Sequence, residues 1–161
     1  MATQIAIVGA SEATAGATAA AEAVGATLAA AGATIISGGL GGVMAAACRG
    51  AKSVGGTTVG ILPGRDRLAA NQWVDIVIAT GLGEARNALV VGSAAVVIAV
   101  DGEYGTLSEI ALALRAHIPV IGVGTWSLTR PDGESDSGIV PIEDPHEAAA
   151  VALRLASTPA G

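Results

Sequence analysis

Short β-branched runs alternate with longer Ala-rich stretches along most of the chain. Residues 4–8, 34–37, 58–62, 75–79, 95–100 and 119–123 are strand-length and mostly apolar, as expected of strands buried on both faces. Residues 14–31, 43–52, 83–92, 106–117 and 145–156 read as helices. Gly32 suits a helix C-cap, Pro63-Gly64 stops the third strand, and Asp144-Pro145 fits an N-cap followed by proline at the first helical position. Residues 129–138 are polar and rich in Pro, Asp, Gly and Ser, and read as a surface loop. Residues 139–142 read as a short edge segment, and the tail after Ser157 is expected to fray. Strict strand–helix alternation predicts an α/β fold: a doubly wound, Rossmann-like domain whose mainly parallel sheet is flanked by helices. No boundary or internal repeat divides the chain, so residues 1–161 are read as one domain.

Composition refines this picture. Of the 161 residues 52 % are apolar, but there is no Phe and only one Tyr, so the core must be packed from Ala, Val, Ile and Leu. The net charge of −6 and a single lysine, Lys52, argue against nucleic acid as a partner, which calls for clustered positive charge. A small anion remains compatible, because backbone N–H groups and a few arginines can hold it. Residues 23–48 carry no charge, yet glycines at 38, 39, 41 and 42 interrupt them, so no membrane span is expected. No basic segment precedes an apolar run at the N-terminus, so no signal peptide is expected. Cys48, the one cysteine, reads as a small core residue in a reducing, cytoplasmic setting.

In such folds ligands bind outside the carboxyl ends of the strands. Gly9-Ala10-Ser11 follows the first strand; Gly9 permits close approach and Ser11 offers a hydroxyl, although such a pattern more often marks a turn with a helix cap. After the second strand, Gly38, Gly39, Gly41 and Gly42 strip Cβ atoms from a loop entering a helix, which suits either an anion at the helix N-terminus or tight strand–helix packing. Arg86 and Asn87 fall in the first turns of a helix, where the arginine fork suits a phosphate or carboxylate or pairs with a surface acid. The most informative loop is Asp101 to Glu109. Gly102 and Gly105 free its backbone, and Thr106 with the adjacent N–H groups can converge on a phosphate at a helix N-terminus. Glu109 stands three residues after Thr106, so the two either form a capping box or place a carboxylate on the ligand.

The Ser37-Gly-Gly-Leu-Gly-Gly-Val-Met44 loop, the Gly60-Ile-Leu-Pro63 strand end, the Arg86-Asn87 pair and the Gly102-x-x-Gly-Thr-x-x-Glu109 loop occur in this order. Together they resemble the Lonely Guy superfamily of SLOG-type Rossmann domains, often mislabelled as lysine decarboxylases. The resemblance runs from the first strand through Val123. Its best-known members are phosphoribohydrolases that cleave the N-glycosidic bond of an N6-modified adenosine 5′-monophosphate. By that likeness Gly102, Gly105 and Thr106 would hold a 5′-phosphate, and Arg86 and Glu109 would be the catalytic pair. The hydrolase signature has Pro, Gly and Lys where this chain has Asp101, Glu103 and Asn87. These departures bring the chain nearer to the branch with molybdenum-cofactor carrier proteins, which bind a phosphate-bearing pterin without chemistry. The resemblance therefore implies a small phosphorylated ligand, AMP-like or of molybdopterin type, with a phosphoribohydrolase as the alternative. It also implies a homo-oligomer, a dimer or larger. A purely structural or regulatory protein, with glycines serving packing alone, is the third reading. Lysine decarboxylation is not expected, since Lys52 has no phosphate cup around it. Nor is a metal, since His117 and His146 are far apart and each reads as a helix-end residue.

Overall fold

The computed structural model describes residues 1–157, so the fraying expected after Ser157 falls outside the described residues. The first strand, β1 (Gln4–Gly9), is buried at Ile5, Ala6, Ile7 and Val8 and lies mid-sheet. It pairs with β2 (Thr34–Ser37) on one side and β5 (Val96–Val100) on the other, both parallel, with Ile5 opposite Ile35 and Val96. Beyond β2 lie β3 (Thr58–Leu62) and β4 (Ile76–Ala79). Beyond β5 lie β6 (Val120–Val123) and an edge strand within residues 139–142. The described residues thus form a seven-stranded, wholly parallel sheet in the order β4-β3-β2-β1-β5-β6-edge.

Alternation along each strand divides the core. Ile5, Ile7, Ile35, Ile98 and Ile121 point to the face covered by α1 (Ala15–Ala30), α2 (Val43–Ser53) and α5 (Pro145–Ala156). Ala6, Val8, Val97, Ala99 and Val120 point to the face covered by α3 (Asn87–Gly92) and α4 (Tyr104–Arg115). With few aromatics, the core is filled by bringing backbones close. At the α1–α2 contact a Cβ on Gly25 would overlap the carbonyl of Ala47, and one on Gly50 the carbonyl of Glu22. Cys48, on α2, is fully buried, which raises its thiol pKa, and its sulfur lies 3.5 Å from Ser37 Oγ at the end of β2.

Several element ends differ from the sequence expectation. The fourth helix begins at Tyr104, not Thr106, so Thr106 is in its first turn and the capping-box alternative is not realised; the N-cap is Glu103, which makes no side-chain cap bond. The segment expected to be helical over 83–92 is a 3-10 turn, Gly83–Arg86, followed by α3. The polar segment 129–138 is not wholly loop. A two-residue antiparallel hairpin, β7 (Leu128–Thr129) and β8 (Ser135–Asp136), forms there, closed by an Arg130–Asp136 ion pair of 3.0 Å. The edge strand of the main sheet is accordingly β9 (Ile139–Pro141). Asp144 caps α5 as expected, accepting from the N–H of His146 and Glu147. Val90 and Val91 are core residues, whereas Leu89 is exposed. No helix among the described residues is long and apolar enough to cross a membrane.

Candidate functional site

Strand order reverses at β1 and β5. The chain leaves β1 for α1 on one face and leaves β5 for α4 on the other, so their connecting loops part at the carboxyl edge. A cavity of about 260 Å³ opens there. Gly9, Ala10 and Ser11 line it from β1, and Glu103, Gly105, Thr106 and Glu109 from the β5–α4 connection. Glu84, Arg86 and Asn87 form a third wall; Met44 and Pro63 complete it. Of the candidate residues, the fold thus brings together Gly9, Ser11, Arg86, Asn87, Gly105, Thr106 and Glu109. It does not bring Gly38, Gly39, Gly41, Gly42 or Gly102 to the lining.

Four of those five glycines are packed against protein, whereas Gly41 is exposed. Gly42, at φ +60, lies under the carbonyls of Ala10 and Ser11, and Gly41 lies close to Ser11 O. The first free N–H of α2, on Val43, donates to Ala10 O at 3.0 Å. Gly39 fits against Leu62 and Gly60, Gly38 against Arg86 and Met44, and Gly102, at φ +121, against Thr106. The β2–α2 loop therefore supports the cavity from behind.

The start of α4 is arranged differently. Its first intrahelical bond runs from Leu107 N to Glu103 O at 3.0 Å, so the N–H groups of Tyr104, Gly105 and Thr106 have no acceptor within the helix. Asp101 holds a left-handed φ of +54, and its N–H donates to Val123 O. With Gly102 this turns the chain from a buried strand into the helix within three residues. Ser108 Oγ donates to Gly105 O at 2.7 Å and accepts from Asn87 Nδ2 at 3.0 Å, tying α3 to the first turn of α4.

Arg86 and Glu109 dominate the electrostatics. Arg86 is 8 % exposed, and its Nε and Nη1 are buried without a hydrogen-bond partner. Burial lowers its pKa, opposed by the nearby Glu109 charge. Glu109 is 7 % exposed; burial pushes its carboxyl from the ordinary 4.5 up to about 7, while the Arg86 charge pulls the other way. Near neutral pH the site thus holds an unsatisfied cation beside a half-protonated acid. Glu84 and Glu103 are exposed lining residues. Glu84 carried no signal in the sequence, whereas Met44 and Pro63 sat at the ends of motifs already singled out.

A larger cavity, about 470 Å³, lies on the α1 side of Asp101, between Thr14, Ala17, Val123 and Glu143. Its charged lining is Asp101 and Glu143, both acidic, so it is the poorer place for an anion. Lys52 pairs with Asp75 at 2.8 Å, next to the start of β3 and so at the opposite sheet edge. Among the described residues no group of three or more His, Cys, Asp or Glu is gathered as for a metal ion.

Residues 2–149 match the model of the SLOG cluster4 family, so the chain belongs to that family. The molybdenum cofactor binding protein of Rippkaea orientalis is 33 % identical, with a TM-score of 0.87 over 98 % of this chain and 99 % of that one. The molybdenum cofactor carrier protein of Chlamydomonas reinhardtii is 32 % identical, with a TM-score of 0.83 over 98 % of this chain and 100 % of that one. An uncharacterised protein of Archaeoglobus fulgidus is 53 % identical over 74 residues, 46 % of this chain; the match spans 48 % of that relative's length.

Proposed function

We propose that this SLOG cluster4 family member binds a small phosphorylated ligand in the cavity between β1 and β5, as a carrier holds its cargo. The ligand is a molybdopterin-type pterin or an AMP-like nucleotide. The observation that carries this reading is the Arg86 guanidinium, buried in the cavity wall with two nitrogens unpartnered. A buried guanidinium with two nitrogens unsatisfied is destabilising, and an anion arriving at its remaining nitrogen offsets that cost. The free N–H groups at the start of α4 supply neutral donors to the same phosphate. Gly105 and Thr106 would hold it, Gly9 and Ser11 would close over it, and Asn87 would fix α3 against it. The likeness to molybdenum cofactor binding and carrier proteins over nearly the whole chain supports a pterin cargo.

Thermal shift with AMP, GMP, ADP and molybdopterin tests the proposal. At least one of them should raise the melting temperature of the wild type and fail to raise that of Arg86→Ala; no stabilisation by any of them would refute it.

A second reading, a nucleoside 5′-monophosphate phosphoribohydrolase, is favoured by one observation. A carboxyl poised at about 7 suits general acid–base work at neutral pH. Glu109 would activate water or stabilise an oxocarbenium-like ribose, with Arg86 orienting the nucleotide. Incubation with AMP or isopentenyl-AMP should then release free base, and Glu109→Gln should stop release while keeping phosphate binding. The proposal places the protein in the cytoplasm, with no nucleic acid as partner, and as a homo-oligomer. The last accords with the exposed Ile76 and Ile78 on edge strand β4 and is read by sedimentation.

A further inference from the structure

We infer that Gly38 is a positioning residue whose missing side chain is the socket for the Arg86 guanidinium. It sits one residue past β2, and a Cβ built there would overlap Arg86 Nη1 and lie 2.9 Å from Arg86 Cζ and 2.6 Å from Met44 Sδ. Gly38 is absent from the positive-φ positions, so its backbone does not require glycine; room does. The turn around it is held from beneath, where Ser37 Oγ accepts the Gly39 N–H at 3.1 Å. The guanidinium thus lies against bare main chain with Nε and Nη1 sealed from water, leaving Nη2 as its available nitrogen. A loop whose glycines suggest a ligand cradle instead orients one cation. Its consequence for binding rests on the proposed function: Arg86 offers a phosphate a single nitrogen in a fixed direction rather than an open fork.

The test is a double-mutant cycle of Gly38→Ala and Arg86→Ala, read first without ligand through the Glu109 carboxyl, whose titration senses the Arg86 charge. The atoms in the way of the new methyl are the tips of flexible side chains, so Gly38→Ala should fold. By carbon-13 NMR the Glu109 midpoint in Gly38→Ala should move from the wild-type value by about half a pH unit or more. In the Arg86→Ala background the same change at Gly38 should leave it where Arg86→Ala alone puts it. Binding of AMP, followed by calorimetry, should weaken by about tenfold or more in Gly38→Ala.

An unmoved Glu109 midpoint in Gly38→Ala, or an equal shift with and without Arg86, would overturn the socket. Should Gly38→Ala not fold, folding of the double variant supports it, because the clash is then with the guanidinium; failure of both overturns it. If the wild type binds none of the phosphorylated ligands, the functional reading fails while the ligand-free titration still decides the socket.

Discussion

Glu109 is an acid held out of water beside the one cation of its cavity, and its ionisation is coupled to the fold. A carboxyl that titrates near 7 when folded and near 4.5 when unfolded makes the unfolded chain the better acid between those values. Its contribution is therefore most favourable below pH 4.5 and is lost as pH rises to about 7, a difference of about 3 kcal/mol. Urea unfolding from pH 4.5 to 8 should show wild type losing stability relative to Glu109→Gln over that window; parallel curves would contradict the burial argument. Arg86 is the complementary case. Two of its nitrogens are sealed without partners, so replacing the side chain with an apolar one of similar length removes a cost. At pH 4.5, where the folded-state Glu109 carboxyl is protonated with or without its neighbouring cation, Arg86→Met should be as stable as wild type or more so in urea, and it should lose all stabilisation by AMP or molybdopterin. A loss of stability would mean that the guanidinium is satisfied in a way the unpartnered nitrogens do not indicate.

At the scale of elements, close backbone approach replaces bulky side chains. At the α1–α2 contact the obstacle to a methyl on Gly50 is the main-chain carbonyl of Glu22, which cannot swing aside. Gly50→Ala should cost about 1–3 kcal/mol in urea unfolding, the usual range for overpacking a filled core. Gly16, with open space around it near the start of α1, serves as the control and should tolerate Ala. The strands and long helices were legible in the chain because burial on both faces and helical repeats leave strong periods. The hairpin at residues 128–136 was not, since strands of two residues carry no period. Nor was the start of α4 at Tyr104. Ser/Thr-x-x-Glu spacing favours Thr106 as a cap, but the tight turn at Asp101 and Gly102 delivers the chain into helical geometry sooner. Trp126 Nε1, donating to Glu103 O at 3.3 Å, braces that entry through a contact no local pattern announces.

At the scale of the molecule, the split at β1 and β5 determines which loops can meet. Loops separated by most of the chain, at Ser11, Arg86 and Thr106, were each recognisable as unusual, and the topology brings them around one cavity. What the glycine-rich β2–α2 loop does could not be read locally. A glycine marks where a Cβ is unwelcome, not what occupies the space, and for Gly38 the occupant is a side chain 48 positions later. Glu84 is similar, an acid unremarkable until the fold places it at the cavity mouth. A ligand that binds only the folded state should stabilise it by about 2.7 kcal/mol at a hundredfold excess over its Kd. The place of the phosphate is read out most directly by an amide NMR titration with AMP and with molybdopterin. Saturable shifts are expected at Gly105, Thr106 and Ser11 with at least one of the two, and none in Arg86→Ala. Saturable shifts confined to the cavity between Thr14, Val123 and Glu143, or no saturable shift with either ligand, would contradict that placement.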